Sequence, residues 1–203
     1  MSGWSRHEGL GVALPDESID TDQLIPARFM ATPRAQGYGR FLLHDLRHDA
    51  EGRPLPDFPL NRVPDATILI TGRNFGAGSS REAAVYALVD AGIRAVLAPS
   101  FGDIFAANAI NNGLLPARIS SGDMERLTGA MPDRLEIDLM ARCVTGGGLQ
   151  ALFELDPVWQ MKLVNGWDDI DLTGAHQDDI AAFATADRIR RPWARPAAER
   201  SLS

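Results

Sequence analysis

Cysteine is nearly absent. Cys143 is the one thiol in 203 residues, which excludes an internal disulfide framework. It also excludes a thiolate-held iron–sulfur cluster or a four-cysteine zinc site carried by this chain alone. No run approaches the ~18 apolar residues of a membrane-spanning helix. The first eleven residues are polar and glycine-rich, unlike a secretory leader, and the expectation is a soluble cytoplasmic protein. An excess of positive charge is missing too. Acidic residues number 27 against 20 basic ones, a formal charge of −7, which argues against a general nucleic-acid binder but permits a local anion site. What remains is 45% hydrophobic and 23% charged, an ordinary globular composition long enough for a full core.

The most informative stretch reads Ala66-Thr-Ile-Leu-Ile-Thr-Gly72-Arg-Asn-Phe-Gly76-Ala-Gly78-Ser79-Ser80-Arg81-Glu82. Residues 66–71 are apolar and β-branched and predict a buried strand. Glycines at 72, 76 and 78 then puncture the chain. Residues 80–91 place Ala84, Leu88 and Ala91 on one stripe and predict a helix. Strand, glycine loop and helix start bring backbone N–H groups, two hydroxyls and the Arg81 guanidinium to one point. A helix N-terminus already favours anions, and the planar arginine fork suits a carboxylate or phosphate. Two roles compete for Ser79. Ser79-x-x-Glu82 satisfies the capping-box pattern, and the same hydroxyl stands in a loop suited to an anion.

Around this centre the chain reads as α/β. Residues 9–14 suggest a first strand. Asp20-Thr-Asp22 stands ahead of Leu24-Ile-Pro26, either as a helix cap or turn or as a carboxylate that orients a catalytic group. Arg28 and Arg34 follow and are candidates to face an anion. Residues 30–36 have the small, polar composition of a mobile loop. His44 and His48 share an i, i+4 metal-ligand spacing, but without Glu at 45 they do not make the metalloprotease motif. Strands are predicted at 94–98 and 114–119, with a helix at 103–110 between them capped by Ser100 or Asp103 and stopped by Gly113. A short helix near 123–130 precedes an alternating strand at 134–139. Gly146-Gly-Gly148 marks a hairpin, 156–165 a helix, and Thr173 the opening of a last helix over 175–189. The basic tail at 188–200 holds two prolines and reads as loose.

These pieces, in this order and spacing, resemble the aconitase superfamily, specifically the swivelling domain that isopropylmalate isomerases carry as a separate small subunit. The resemblance rests on Asp20-Thr-Asp22-Gln-Leu-Ile-Pro26, Gly37-Tyr-Gly-Arg-Phe41, Asn74-Phe-Gly-Ala-Gly-Ser-Ser-Arg-Glu82, Ala98-Pro-Ser-Phe101 and Asn112-Gly-Leu-Leu-Pro116. It implies a β/β/α swivelling domain, mixed, barrel-like and three-layered, over 1–170, with a C-terminal helix and tail at 171–203. It implies a hydro-lyase that dehydrates and rehydrates a hydroxy-dicarboxylic acid, active only with a large subunit. The [4Fe–4S] cluster belongs to that partner, where an open iron acts as Lewis acid, and this chain binds no metal. In family terms Ser79 abstracts the proton, Ser80 and Arg81 hold a substrate carboxylate, and Asp22 is an active-site aspartate. Arg28 and Arg34 are further substrate-binding candidates.

Some positions depart from the family pattern. Ala77 stands where a cysteine is usual, Ala83 where a histidine is, and Leu46 where a tryptophan is. Residues 31–36 are less basic than is typical. In the family this loop distinguishes substrate side chains, so a related dehydratase acting on a methyl-substituted malate or citrate is the alternative. A dinucleotide-binding domain is a distant second class. Gly76-x-Gly78-x-x-Arg81 follows a strand but lacks the third glycine, and Asp90 falls inside the helix. A P-loop is excluded because no lysine follows the glycines.

Overall fold

The computed structural model describes residues 2–194 and divides into two compact units after Asp168. In the first unit, β1 (Arg6–Leu14) leads into a long excursion over residues 15–65. That excursion holds the single-turn helices α1 (Thr21–Leu24), α2 (His44–Arg47) and α3 (Pro59–Arg62), interspersed with 3-10 turns. Then follow β2 (Ala66–Thr71), α4 (Glu82–Asp90), β3 (Ala95–Ala98), α5 (Asp103–Asn111), β4 (Leu115–Arg118) and α6 (Ser121–Ala130). The unit ends with β5 (Asp133–Asp138), β6 (Cys143–Gly146), β7 (Leu149–Leu152) and α7 (Pro157–Asn165).

Among the described residues the strands form one sheet, ordered β4-β3-β2-β1-β5-β6-β7. The first four strands are parallel, and β5 to β7 turn back antiparallel. The residue patterns explain the change. β2 and β3 are apolar on both faces, as strands covered on both sides must be. β5 instead buries Leu135 and Ile137 and leaves Glu136 in solvent. The sheet's two edges also meet: the Glu154 N–H donates to the Arg118 carbonyl at 2.8 Å across an antiparallel bridge. The sheet therefore curls into a barrel.

Side-chain alternation along β2 sends Ile68 and Ile70 into the barrel and Leu69 out. Inside, they meet Leu97, Leu115, Leu135, Ile137 and Val144, with Leu127 of α6 and Leu163 of α7. α6 touches β1, β2, β3 and β7, strands of both halves, so it plugs the barrel and does not lie along one face. Outside the parallel half, α1, α4 and α5 form a layer whose core includes Leu24, Ala84, Leu88 and Phe105. Leu88 is fully buried, which stabilises the layer by about 1.5–3 kcal/mol relative to exposure. Lys162 is buried and donates to the Asn111 amide oxygen, tying α7 to α5.

Several boundaries differ from expectation. α4 starts at Glu82, not at residue 80, and its N-cap is Arg81 with no side-chain cap bond. Ser79 therefore lies outside the helix and does not cap it, because its loop is held elsewhere, as described below. The N-cap of α5 is Gly102 and not Ser100 or Asp103; the Ser100 hydroxyl accepts the Asn74 N–H instead, at 2.8 Å. Gly113 does stop α5 in a left-handed conformation, φ +76°.

The second unit contains α8 (Asp169–Gly174) and α9 (Gln177–Arg190). Thr173 does not open the last helix. Its hydroxyl bonds back to the Asp169 carbonyl at 2.9 Å, a satisfaction internal to α8 that leaves it no role as a cap. The part of the expected loose tail from residue 195 onward lies outside the described residues.

Candidate active site

Three loops leave the C-terminal ends of the parallel strands β1, β2 and β3, where open α/β sheets gather their ligands. They are residues 15–20, 72–81 and 99–102. Their backbones continue the strand pairing beyond the sheet. Ser18 N–H donates to Arg73 O at 2.9 Å, Gly76 N–H to Ile19 O at 2.7 Å, and Thr21 N–H to Ala77 O at 2.9 Å. On the other side Phe75 N–H reaches Ser100 O at 3.1 Å, and Gly102 N–H reaches Phe75 O at 2.9 Å. Phe75, fully buried, anchors the middle loop edge-on against Phe105, ring centroids 5.3 Å apart.

The glycines at 76 and 102 are demanded by this packing. Gly76 has φ +72°, and a Cβ there would lie 2.2 Å from the Phe105 ring. A Cβ on Gly102 would lie 2.7 Å from the Gly76 carbonyl. Both contacts are far inside van der Waals distance. Asn74 also adopts a left-handed conformation, φ +61°, which asparagine tolerates better than most residues. Its amide donates to the Ser18 hydroxyl at 3.0 Å.

Asp20 and Asp22 have separate employments. Asp20 is the N-cap of α1 in a complete capping box with Gln23, so the cap reading of this motif holds for that residue. Asp22 lies two residues on and pairs with Arg81, 59 residues away in sequence. Between them, buried Thr21 donates its hydroxyl to the Ser79 carbonyl at 3.0 Å. Thr21 thus ties down the peptide that carries the serines. Composition did not single it out; its place between two aspartates was the only signal.

Thr21, Gly76, Gly78, Ser79, Arg81 and Asp103 border a cavity of about 200 Å³. Two helix N-termini meet there, α4 behind Arg81 and α5 behind Gly102, and neither has a side-chain cap bond. Their N–H groups and dipoles favour an anion from two directions. Ser79 and Ser80 are exposed beside it. Arg81 is only 21% exposed at its side chain, whereas Asp22 is 56% exposed. Chemically the corner is suited to a carboxylate, with a hydroxyl at its lip.

The other candidates lie apart from it. Arg28 donates to Asp45, Nη1 to Oδ2 at 2.9 Å, and stacks over Phe29. That guanidinium holds the Asp45 carboxyl well below its ordinary 3.8, at about 2. Arg34 forms a two-pronged pair with Asp90. Asp90 ends α4 while Arg81 begins it, a separation of roughly 13 Å along a nine-residue helix. His44 and His48 stack on each other, with the His48 Nδ1 at 2.9 Å from the His44 carbonyl. Among the described residues no group of three or more His, Cys, Asp or Glu side chains is arranged to hold a metal, and no helix is long and apolar enough to cross a membrane.

Comparison with known proteins agrees with this geometry. The family profile of the aconitase C-terminal domain matches residues 1–122. The 3-isopropylmalate dehydratase small subunit of Shouchella clausii is 43% identical over 183 residues, 87% of this chain and 92% of that protein. Those of Bacillus subtilis and Rhodopirellula baltica are 42% and 43% identical, covering 90% and 92% of this chain and 95% and 99% of theirs. The solved structure of 3-isopropylmalate dehydratase from Methanocaldococcus jannaschii superposes with a TM-score of 0.67 at 25% identity, over 87% of this chain and 98% of that one. With its curled mixed sheet, its glycine loop and these relatives, the chain belongs to the aconitase C-terminal domain family and, within it, to the 3-isopropylmalate dehydratase small subunits.

Proposed function

We propose that this chain is the small, swivelling half of a 3-isopropylmalate dehydratase, a hydro-lyase that interconverts 2- and 3-isopropylmalate in leucine biosynthesis and turns over only with its large subunit. The observation that carries this reading is the meeting of Asp22, Arg81 and the serine loop at two uncapped helix N-termini. Its size supports a shared site. A cavity near 200 Å³ is smaller than the roughly 300–1,000 Å³ of a complete small-molecule pocket.

In this reading Ser80, Arg81 and the two helix N-termini bind one substrate carboxylate. Ser79 takes the proton from the carbon next to the one that loses the hydroxyl. A serine oxygen is a poor base near neutral pH unless its anion is stabilised by N–H groups and a nearby cation, and Arg81 with the α4 terminus stands where both are needed. Asp22 orients Arg81. Arg28 and Arg34 take no direct part, since each closes both prongs of its fork on one carboxylate of this chain, whereas Arg81 gives only Nη1 to Asp22. Residues 30–36 face the variable side chain of the substrate, which leaves the methyl-substituted malates as competing substrates. A [4Fe–4S] cluster does not fit the residues of this chain. Such a cluster needs several thiolates, and Cys143 stands alone in β6; the cluster belongs to the large subunit.

Co-expression with a large subunit tests the reading. The complex should isomerise 2-isopropylmalate, and the chain alone, after anaerobic treatment with iron and sulfide, should stay colourless and inactive. Turnover or a stoichiometric cluster in the isolated chain would overturn it.

A further inference from the structure

Residues 30–38 have a loop's composition but are fastened at several points. The Tyr38 hydroxyl donates to the Thr32 carbonyl at 3.0 Å and closes the segment on itself. Arg34 sends Nη1 to Asp90 Oδ2 at 2.7 Å and Nη2 to Oδ1 at 3.0 Å. The same guanidinium lies 4.3 Å from the Tyr86 ring centroid and 5.5 Å from that of Tyr38. Asp90 Oδ2 also accepts the Tyr38 N–H at 2.7 Å. Gly39 backs onto the Asp90 main chain so closely that a Cβ would lie 2.6 Å from its carbonyl. One carboxylate, 19% exposed at its side chain, thus collects three donors from this segment.

Asp90 is the last residue of α4, and α4 begins behind Arg81. The helix is set rigidly by buried Ala84, Val85 and Leu88 and packs against α1, which carries Asp22. A lone exposed ion pair contributes little to stability. This one is bidentate and stacked on tyrosine rings, the geometry in which arginine confers order. An arginine whose fork is closed on a carboxylate of its own chain is not open to bind a substrate carboxylate in the same way.

We propose that Asp90 is a positioning residue for substrate discrimination: it straps residues 30–38 to the far end of the helix whose near end carries the serine loop, so that Arg34 is a strut and not a substrate ligand. The strap sets the distance between the segment that meets the substrate side chain and the corner that holds its carboxylate. This rests on the reading given under Proposed function, and the test separates the two.

The variants are Asp90→Asn, which keeps an acceptor for the Tyr38 N–H but removes the charge, Arg34→Gln, the double variant, and the exchange Arg34→Asp with Asp90→Arg. In the complex with the large subunit, kcat and KM are measured for 3-isopropylmalate and 3-methylmalate. In the isolated chain, hydrogen exchange is followed over residues 30–38 and 74–81. A strut predicts that each single variant changes the ratio of the two kcat/KM values by about the same factor, near tenfold, with the double no worse than either. The exchanged pair should recover part of the ratio. Residues 30–38 should lose protection while 74–81 keep theirs. If Arg34→Gln raises KM for both substrates alike while Asp90→Asn changes nothing, Arg34 is a ligand and the proposal is wrong. Unchanged exchange over 30–38 removes the strap. Faster exchange with an unchanged substrate ratio removes the role in discrimination. A wild-type complex that turns over neither substrate defeats the underlying reading instead, and the exchange arm still decides whether the strap exists.

Discussion

Gly76 and Ser79 stand three residues apart under opposite constraints. Gly76 is held in a left-handed conformation against the Phe105 ring. Gly76→Ala should destabilise the fold by about 2–4 kcal/mol, from backbone strain plus overpacking, as read by urea denaturation; a loss below ~0.5 kcal/mol would show that the loop can relax. Ser79 is exposed and caps nothing. Its side chain therefore has little stability to give, and Ser79→Ala should change unfolding free energy by under ~0.5 kcal/mol. If Ser79 is the base, kcat in the complex should still fall by at least ~10²-fold, with association intact. Ser79→Gly should behave the same way. Retained turnover in a folded, cluster-loaded Ser79→Gly complex would rule Ser79 out and make Ser80 the next residue to test.

At the scale of elements, α2 buries none of its residues and is held in part by a charge pair. It is a single turn whose Asp45 is held by Arg28 from the 3-10 turn Ala27–Ala31, with His44 beside it. The Asp45 pKa is depressed, from 3.8 to about 2, chiefly by the hydrogen bond from Arg28. A depressed carboxylate contributes stability above its unfolded pKa and loses it as pH falls through the folded one. The contribution of Asp45 is thus present at pH 5 and disappears between about pH 4 and pH 2. Asp45→Asn should be less stable than the wild type at pH 5, and the two should converge near pH 2. Both groups are about half exposed, so the difference is small and shrinks with salt. A gap that widened on acidification would reject the pairing as its cause.

At the scale of the whole molecule, the buried clusters inside and outside the barrel, among the described residues, are built from the first unit. The division into a swivelling domain and a C-terminal helical segment is therefore proposed to be one of folding as well as of sequence. A chain ending at Asp168 should unfold in one cooperative transition with a Tm within about 5 °C of the full chain. A broad or absent transition would show that residues 169–203 complete the core. An edge bridge, Arg118 to Glu154, closes the sheet without needing a long additional strand.

Local chemistry was legible in the sequence itself. β2 occupies residues 66–71 as its apolar run predicts, the glycine triplet turns the β6–β7 hairpin, and α7 covers 157–165 of the expected 156–165, with Asp156 as its cap. Each depends on neighbours within a few residues, where propensity, capping and turn chemistry act. The motif resemblance located the serine loop and Asp22 and indicated the family. The structure decided which groups meet. Asp22 and Arg81 are 59 residues apart, Thr21 and the Ser79 carbonyl 58, Arg34 and Asp90 56. Sequence alone set Arg81 at the glycine loop and could mark Arg28 and Arg34 only as further cations, candidates to face an anion. Their different employments follow from the register of β1 on β2 and from the packing of α4 over them. A pairing across more than fifty residues is set by how strands align and helices pack, because only that alignment brings the charges within reach of one another.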